Sequence, residues 1–231
     1  MTGWLGPAEW AAVALSLKVA FWAVAGSLPF ALAVAIWLAR GRHAGLQLVN
    51  GLVHLPLILP PVVTGYLLLM AFGRQGPLGE ALGALGITIA FRWTGAALAA
   101  AVMAFPLMVR AIRLAVEGVD PRLEQAAATL GASPLRVFVT VTLPLILPGI
   151  LAGAVLAFAK AMGEFGATIT FVSNIPGETQ TLSLAVYALM QTPGAEGAAL
   201  RLMVLSVVLA LAALLASEAL ARRARRRVAG E

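Results

Sequence analysis

Apolar residues run almost unbroken through five stretches of the chain, about 11–39, 48–72, 93–115, 145–163 and 198–220. Each is close to the roughly 20 apolar residues a helix needs to cross a bilayer about 30 Å thick. Strands would need to alternate polar and apolar positions, and these stretches do not, so they predict helices. Pro29 falls inside the first stretch and predicts a kink there. The second stretch carries Pro56, Pro60 and Pro61, followed by Thr64-Gly65-Tyr66. Its distorted backbone is tolerable at membrane depth only against protein or a water-filled path. Trp93 opens the third stretch at the depth of an interfacial anchor. Residues 73–92, glycine-rich with Arg74, Glu80 and Arg92, read as a loop with a short amphipathic turn. Residues 173–179 read as a turn, and Leu182 to Met190 is apolar but too short to span, so it is expected to re-enter the membrane or lie on it.

One segment breaks the pattern. Arg110 to Pro144 holds four arginines and three acids within an otherwise apolar sequence. Asp120-Pro121 combines a capping carboxylate with a proline at the first helical position and predicts a short helix. Gln125-Ala126-Ala127-Ala128 continues it with helix formers that leave a small, smooth face. Gly131 is placed to end it in the left-handed conformation, and Pro134 to prevent its continuation.

Composition fixes the class. With 61% hydrophobic residues, 11% charged and mean hydropathy +0.95, the chain is expected to be an all-α integral membrane protein of about five transmembrane helices, a single domain over 1–231. The net charge of +6 is distributed in a way that argues against nucleic acid. Eleven of the sixteen basic residues lie in 40–47, 110–136 and the tail, with five in Arg222 to Arg227, where they read as an anchor on anionic lipid. That asymmetry puts the 116–136 loop and the C-terminus in the cytoplasm and the N-terminus outside. No cysteine and two histidines, His43 and His54, leave little for a metal centre. No catalytic constellation and no phosphate-binding loop occurs, so an energy source must lie in another chain.

The polar residues inside the spans are few. Lys160 and Glu164, one helical turn apart, read equally as an ion pair or a substrate contact. Lys18 reads as facing an interface or snorkelling. His54 and Asn50 read as a hydrogen-bonded pair.

The 110–144 segment resembles the cytoplasmic loop of ATP-binding-cassette importer permeases, whose pattern is EAA, three residues, Gly, nine residues, then Ile-x-Leu-Pro. Gln125-Ala126-Ala127, Gly131, Val141, Leu143 and Pro144 take those positions. Gln125 replaces the usual Glu, with Glu124 one residue earlier, and Val141 replaces Ile. Further segments, His54 to Tyr66, Phe105 to Arg110 and Gly163 to Thr179 among them, resemble the molybdate permeases of this superfamily and also echo tungstate and sulfate permeases. The resemblance implies a type I importer permease fold, a homodimer, two cytoplasmic ATPase subunits that bind ATP and Mg, and an extracytoplasmic oxyanion-binding protein. No cofactor is expected in this chain. It also implies that Glu124, Gln125, Ala126, Ala127, Gly131, Leu143 and Pro144 couple to the ATPase. On that reading Pro60, Pro61, Thr64, Gly65, Gly163, Glu164 and Thr168 are candidates to line the path, with the Thr64 and Thr168 hydroxyls better suited than Lys160. A secondary transporter is the alternative, but it would need coupling-ion groups and usually an internal repeat, and the sequence shows no repeat.

Overall fold

The computed structural model describes residues 4–41 and 43–229. Arg42 lies outside the described residues, as do the side chains of Arg223, Arg225, Arg226 and Arg227. The elements are helices α1 (Pro7–Arg40), α2 (Gly45–Ile58), α3 (Pro61–Phe72), α4 (Pro77–Gly83), α5 (Trp93–Glu117), α6 (Pro121–Thr129), α7 (Pro134–Val137), α8 (Leu143–Met162), α9 (Gly166–Val172), α10 (Leu182–Met190) and α11 (Glu196–Ala229), with a π-helical turn, Phe138–Thr142, joining α7 to α8.

Helix α5 is the axis of the bundle, packed against α1 and α8. Its buried face is small: Ala96, Ala99, Ala100 and Ala104 meet Ala20, Ala23, Ala31 and Ala35 of α1 in two adjoining clusters. Apolar lipid gives helices no hydrophobic reason to associate, so close backbone approach and dispersion must hold them, and small residues permit that approach. The α5–α8 crossing follows the same logic, since a Cβ on Gly149 would stand 2.3 Å from that of Ala115.

Among the described residues four helical segments are long and apolar enough to cross a membrane: Pro7–Arg40, Trp93–Glu117, Pro134–Met162 and Glu196–Ala216. A fifth span exists only if α2 and α3 count together, because they meet at 112°. The expected second span is therefore broken, more sharply than a packing kink. Neither Pro60 nor Pro61 has an N–H to donate, and the residue before a proline is pushed into extended backbone. Leu59 obeys, with φ −68° and ψ 144°.

The fourth span also starts earlier than the sequence reading placed it. Pro134 opens the helix and Pro144 and Pro148 lie within it. The π-helical turn makes room for Pro144: the Leu143 N–H bonds the Phe138 carbonyl five residues back, so one extra residue is accommodated just before the proline. Downstream, α8 breaks at Gly163 and α9 packs on α3. Helix α10 packs on α1 and α11. Leu182, Leu184 and Ala185 are buried, and the Leu182 N–H donates to Ser16 Oγ at 2.6 Å.

Candidate coupling helix and translocation path

Helix α6 is built by its two ends. The Asp120 carboxylate accepts the Arg122 N–H at 2.9 Å, and Pro121 occupies the first turn. At the other end Gly131 takes φ +85°, the Gly131 N–H bonds Ala128 O and the Ala132 N–H bonds Ala127 O. Those two bonds cap the last carbonyls of the helix in the Schellman arrangement, which requires the left-handed residue that glycine supplies most readily.

The inner face of α6 is fastened to the membrane bundle by one side chain. Glu124 accepts hydrogen bonds from Arg40, at the end of α1, and from the hydroxyl of Thr142, the last residue of the π-helical turn. Thr142 is buried, whereas the Arg40 side chain is 44% exposed. Desolvation raises the Glu124 pKa, but the Thr142 hydrogen bond and the Arg40 guanidinium outweigh it and hold the carboxyl below its ordinary value. The displacement of the acid by one residue from the expected EAA position has this consequence: Glu124 faces inward and Gln125 is exposed. Beside the clamp, Arg40, Glu124, Gln125, Ala132, Pro134 and Phe138 line part of a cavity of about 340 Å³. Ala126 is exposed and Ala127 half-buried, while Leu123 (49%) and Leu130 (89%) present apolar surface on α6 and at its end. Of the motif's last residues, Val141 lies in the π-helical turn that carries Thr142, and Leu143 and Pro144 open α8 directly after it.

The two segments proposed for the path do come together. A Cβ on Gly166 would stand 2.7 Å from that of Pro61, and one on Gly65 would stand 2.4 Å from Ala167 O. Helices α3 and α9 therefore run side by side with their N-termini adjacent. Pro60, Pro61 and Gly163 are exposed at the two breaks. Thr64 and Thr168, by contrast, are 5% and 1% exposed, in the seam rather than on an open wall, and Thr64 Oγ1 has no hydrogen-bond partner. Lys160 and Glu164 form an ion pair of 2.6 Å, and the second carboxylate oxygen accepts the Ala167 N–H at 3.1 Å.

The remaining polar residues find partners within the chain. Lys18 lies 3.6 Å from the centroid of the Trp93 ring, a cation–π contact. The His54 ring bonds the Asn50 backbone carbonyl at 2.8 Å, whereas the Asn50 side chain accepts from Arg113 at 3.1 Å. Among the described residues no group of three or more metal-ligating side chains occurs.

The arrangement is an all-helical bundle of membrane-length helices with a polar helix clamped to one end. The chain belongs to the family of binding-protein-dependent transport system inner membrane components, which matches residues 27–226; it is a multi-pass inner-membrane protein. It is 62% identical over 220 residues to the molybdenum transport system permease protein ModB of Escherichia coli K12, covering 95% of this chain and 96% of that one. It is 56% identical over 221 residues to the corresponding Haemophilus influenzae protein, again covering 95% and 96%. The fold resembles a bacterial ABC transporter involved in import of the acidic polysaccharide alginate, with TM-score 0.75 and 17% identity over 95% of this chain and 80% of that one.

Proposed function

We propose that the chain is the translocation subunit of an ATP-driven oxyanion importer, with molybdate the foremost substrate. It works as a homodimer with two cytoplasmic ATPase subunits and an extracytoplasmic binding protein. ATP and Mg are held by the ATPase. The observation that carries this reading is the clamped helix α6, whose inner face is held by Glu124 to α1 and to the π-helical turn that leads into α8, while Leu123 and Leu130 stay exposed. Exposed leucines outside the membrane have no lipid to cover them, so they suit a protein surface, and the clamp gives a push on that surface a route into two membrane helices. Molybdate as substrate rests on the likeness to permeases that bear that name over nearly the full length.

In this reading the N-terminus is outside and the C-terminus cytoplasmic. The path runs past Pro60, Pro61, Gly65 and Gly163, with Thr64, Glu164 and Thr168 behind them in the seam between α3 and α9. Alternating access would open that seam and bring the unpartnered Thr64 hydroxyl to the substrate. Uptake of radiolabelled molybdate by cells expressing the whole transporter, in competition with tungstate and sulfate, tests the assignment. Molybdate should compete best, and sulfate displacing the label at equal concentration would reassign the substrate. Thr64→Val combined with Thr168→Val should reduce uptake at equal expression. Unchanged uptake would remove those residues from the path.

A further inference from the structure

Glu164 is an unusual residue to bury in a membrane protein, because its side chain is 2% exposed and yet carries a carboxylate held by two donors. One oxygen takes the Lys160 ammonium and the other takes the Ala167 N–H. Both partners of the carboxylate are thus accounted for. The lysine is not: its side chain is 31% exposed, and an ammonium has three N–H donors of which the pair uses one. Lys160 therefore stands between a buried carboxylate and open space, in the last turn of α8, beside the exposed break at Gly163. Across the break, Gly166 and Ala167 lie against Pro61 and Gly65, so the neighbouring turn of α3 contributes Thr64, whose buried hydroxyl has no partner. A cation with spare donors thus sits in the last turn of one broken span, and an uncommitted hydroxyl in the first turn of the other. The other lysine in apolar sequence, Lys18, is engaged on the Trp93 ring.

We infer that Lys160 is a transit contact for the oxyanion, and that Glu164 sets its strength by cancelling part of its charge. The inference rests on the oxyanion reading above and adds to it the residue pair that governs passage. A dianion crossing a bilayer needs favourable contacts to enter, but a full cation in a low-dielectric site would hold it too long. A carboxylate fixed behind the ammonium lowers the local potential while leaving two donors free. The substrate touches Lys160; Glu164 acts through Lys160 and is a positioning and tuning residue.

A purely structural ion pair predicts a different pattern of variants. Removing either member would then damage the protein in the same direction, and removing both together would largely restore it. If Glu164 tunes Lys160, the two single changes act on anion affinity in opposite directions. The test uses the assembled transporter in lipid nanodiscs and measures equilibrium binding of radiolabelled molybdate without the binding protein, alongside ATP-driven uptake in vesicles. Glu164→Gln should bind molybdate about tenfold more tightly and transport it more slowly, because the released charge retains the anion. Lys160→Met should lose binding and uptake. Lys160→Met with Glu164→Gln, which leaves no unpaired buried charge and so guards against misfolding, should assemble normally and still fail to bind. Recovery of wild-type uptake in that double variant, or weaker binding in Glu164→Gln, would overturn the inference while leaving the importer assignment intact. Wild-type protein that takes up neither molybdate, tungstate nor sulfate would overturn both.

Discussion

Replacing Glu124 by alanine should loosen the coupling helix without unfolding the membrane bundle. The effect has two parts. Thr142 is buried, and loss of its acceptor leaves a desolvated hydroxyl unpaired, at a cost of about 1–3 kcal/mol. Arg40 is nearly half exposed, so it regains water when its partner goes, and the pair contributes under about 1 kcal/mol. Together they amount to roughly 1–4 kcal/mol, or about fivefold to several hundredfold in the equilibrium between docked and released α6. The apolar contacts that hold α1, α5 and α8 are untouched, so the change is local. Hydrogen exchange of the amides from Leu123 to Leu130, measured on the transporter in nanodiscs, should accelerate by that factor while amides of α5 keep their protection. Glu124→Gln retains an acceptor for Thr142 and should fall between. Thr142→Val alone should cost less than Glu124→Ala, and the double variant should fall short of the sum, because each single change already breaks the shared bond. Unaltered exchange in Glu124→Ala, or full additivity, would show that the clamp carries no strain between α6 and the bundle.

The same carboxylate gives a pH dependence. Its folded pKa is lowered, so its stabilisation is fully present above the ordinary carboxylate value of 4.5 and is lost as pH falls through the lower folded value; cleavage of the α6 region by an acid protease should rise steeply only below 4.5, and less steeply in Glu124→Gln. At Gly131 a new Cβ meets nothing within 4 Å, so cost comes from φ +85° alone: Asn should be tolerated, whereas Val should cost about 1–3 kcal/mol and lower substrate-stimulated ATP hydrolysis, and equal hydrolysis in both would discount the left-handed cap. At Gly65 the cost is steric, since a Cβ would stand 2.4 Å from Ala167 O; Gly65→Val should separate α3 from α9 and lower the thermal midpoint in detergent, and an unchanged midpoint would deny the close approach. A cysteine at Gly177 should react with an impermeant reagent on intact cells and one at Ala132 should not; the opposite result would invert the topology.

Helix α6 was legible because its signals are local. A capping Asp, a first-turn proline and a left-handed glycine each act within a few residues, and all three appear where sequence spacing put them. The identity of Glu124's partners was not legible. Arg40 is 84 residues away and Thr142 is 18, and the approach of Thr142 depends on a π-helical turn whose only sequence cue is Pro144. Proline likewise announced distortion at 60–61 but not its size, since a lost N–H says that a helix bends and packing against α9 decides where it goes. The packing partners of Leu182 to Met190 were not legible for a related reason. The segment's length excludes a span, but burial against α1 and α11 comes from tertiary contacts that hydropathy cannot register. The Lys160–Glu164 pair follows directly from helical spacing; its attachment to the start of α9 does not.

Transport through this chain should be driven by ATP hydrolysis on a separate subunit acting through α6. The most direct measurement reconstitutes the purified permease into vesicles with and without its ATPase, with loaded binding protein on the outside and ATP inside, and follows molybdate accumulation. Accumulation against a gradient should require the ATPase and ATP together, and should fall sharply when Ala127→Trp is introduced on the exposed helix. Accumulation by the permease alone under an imposed ion gradient, unaffected by Ala127→Trp, would contradict the account.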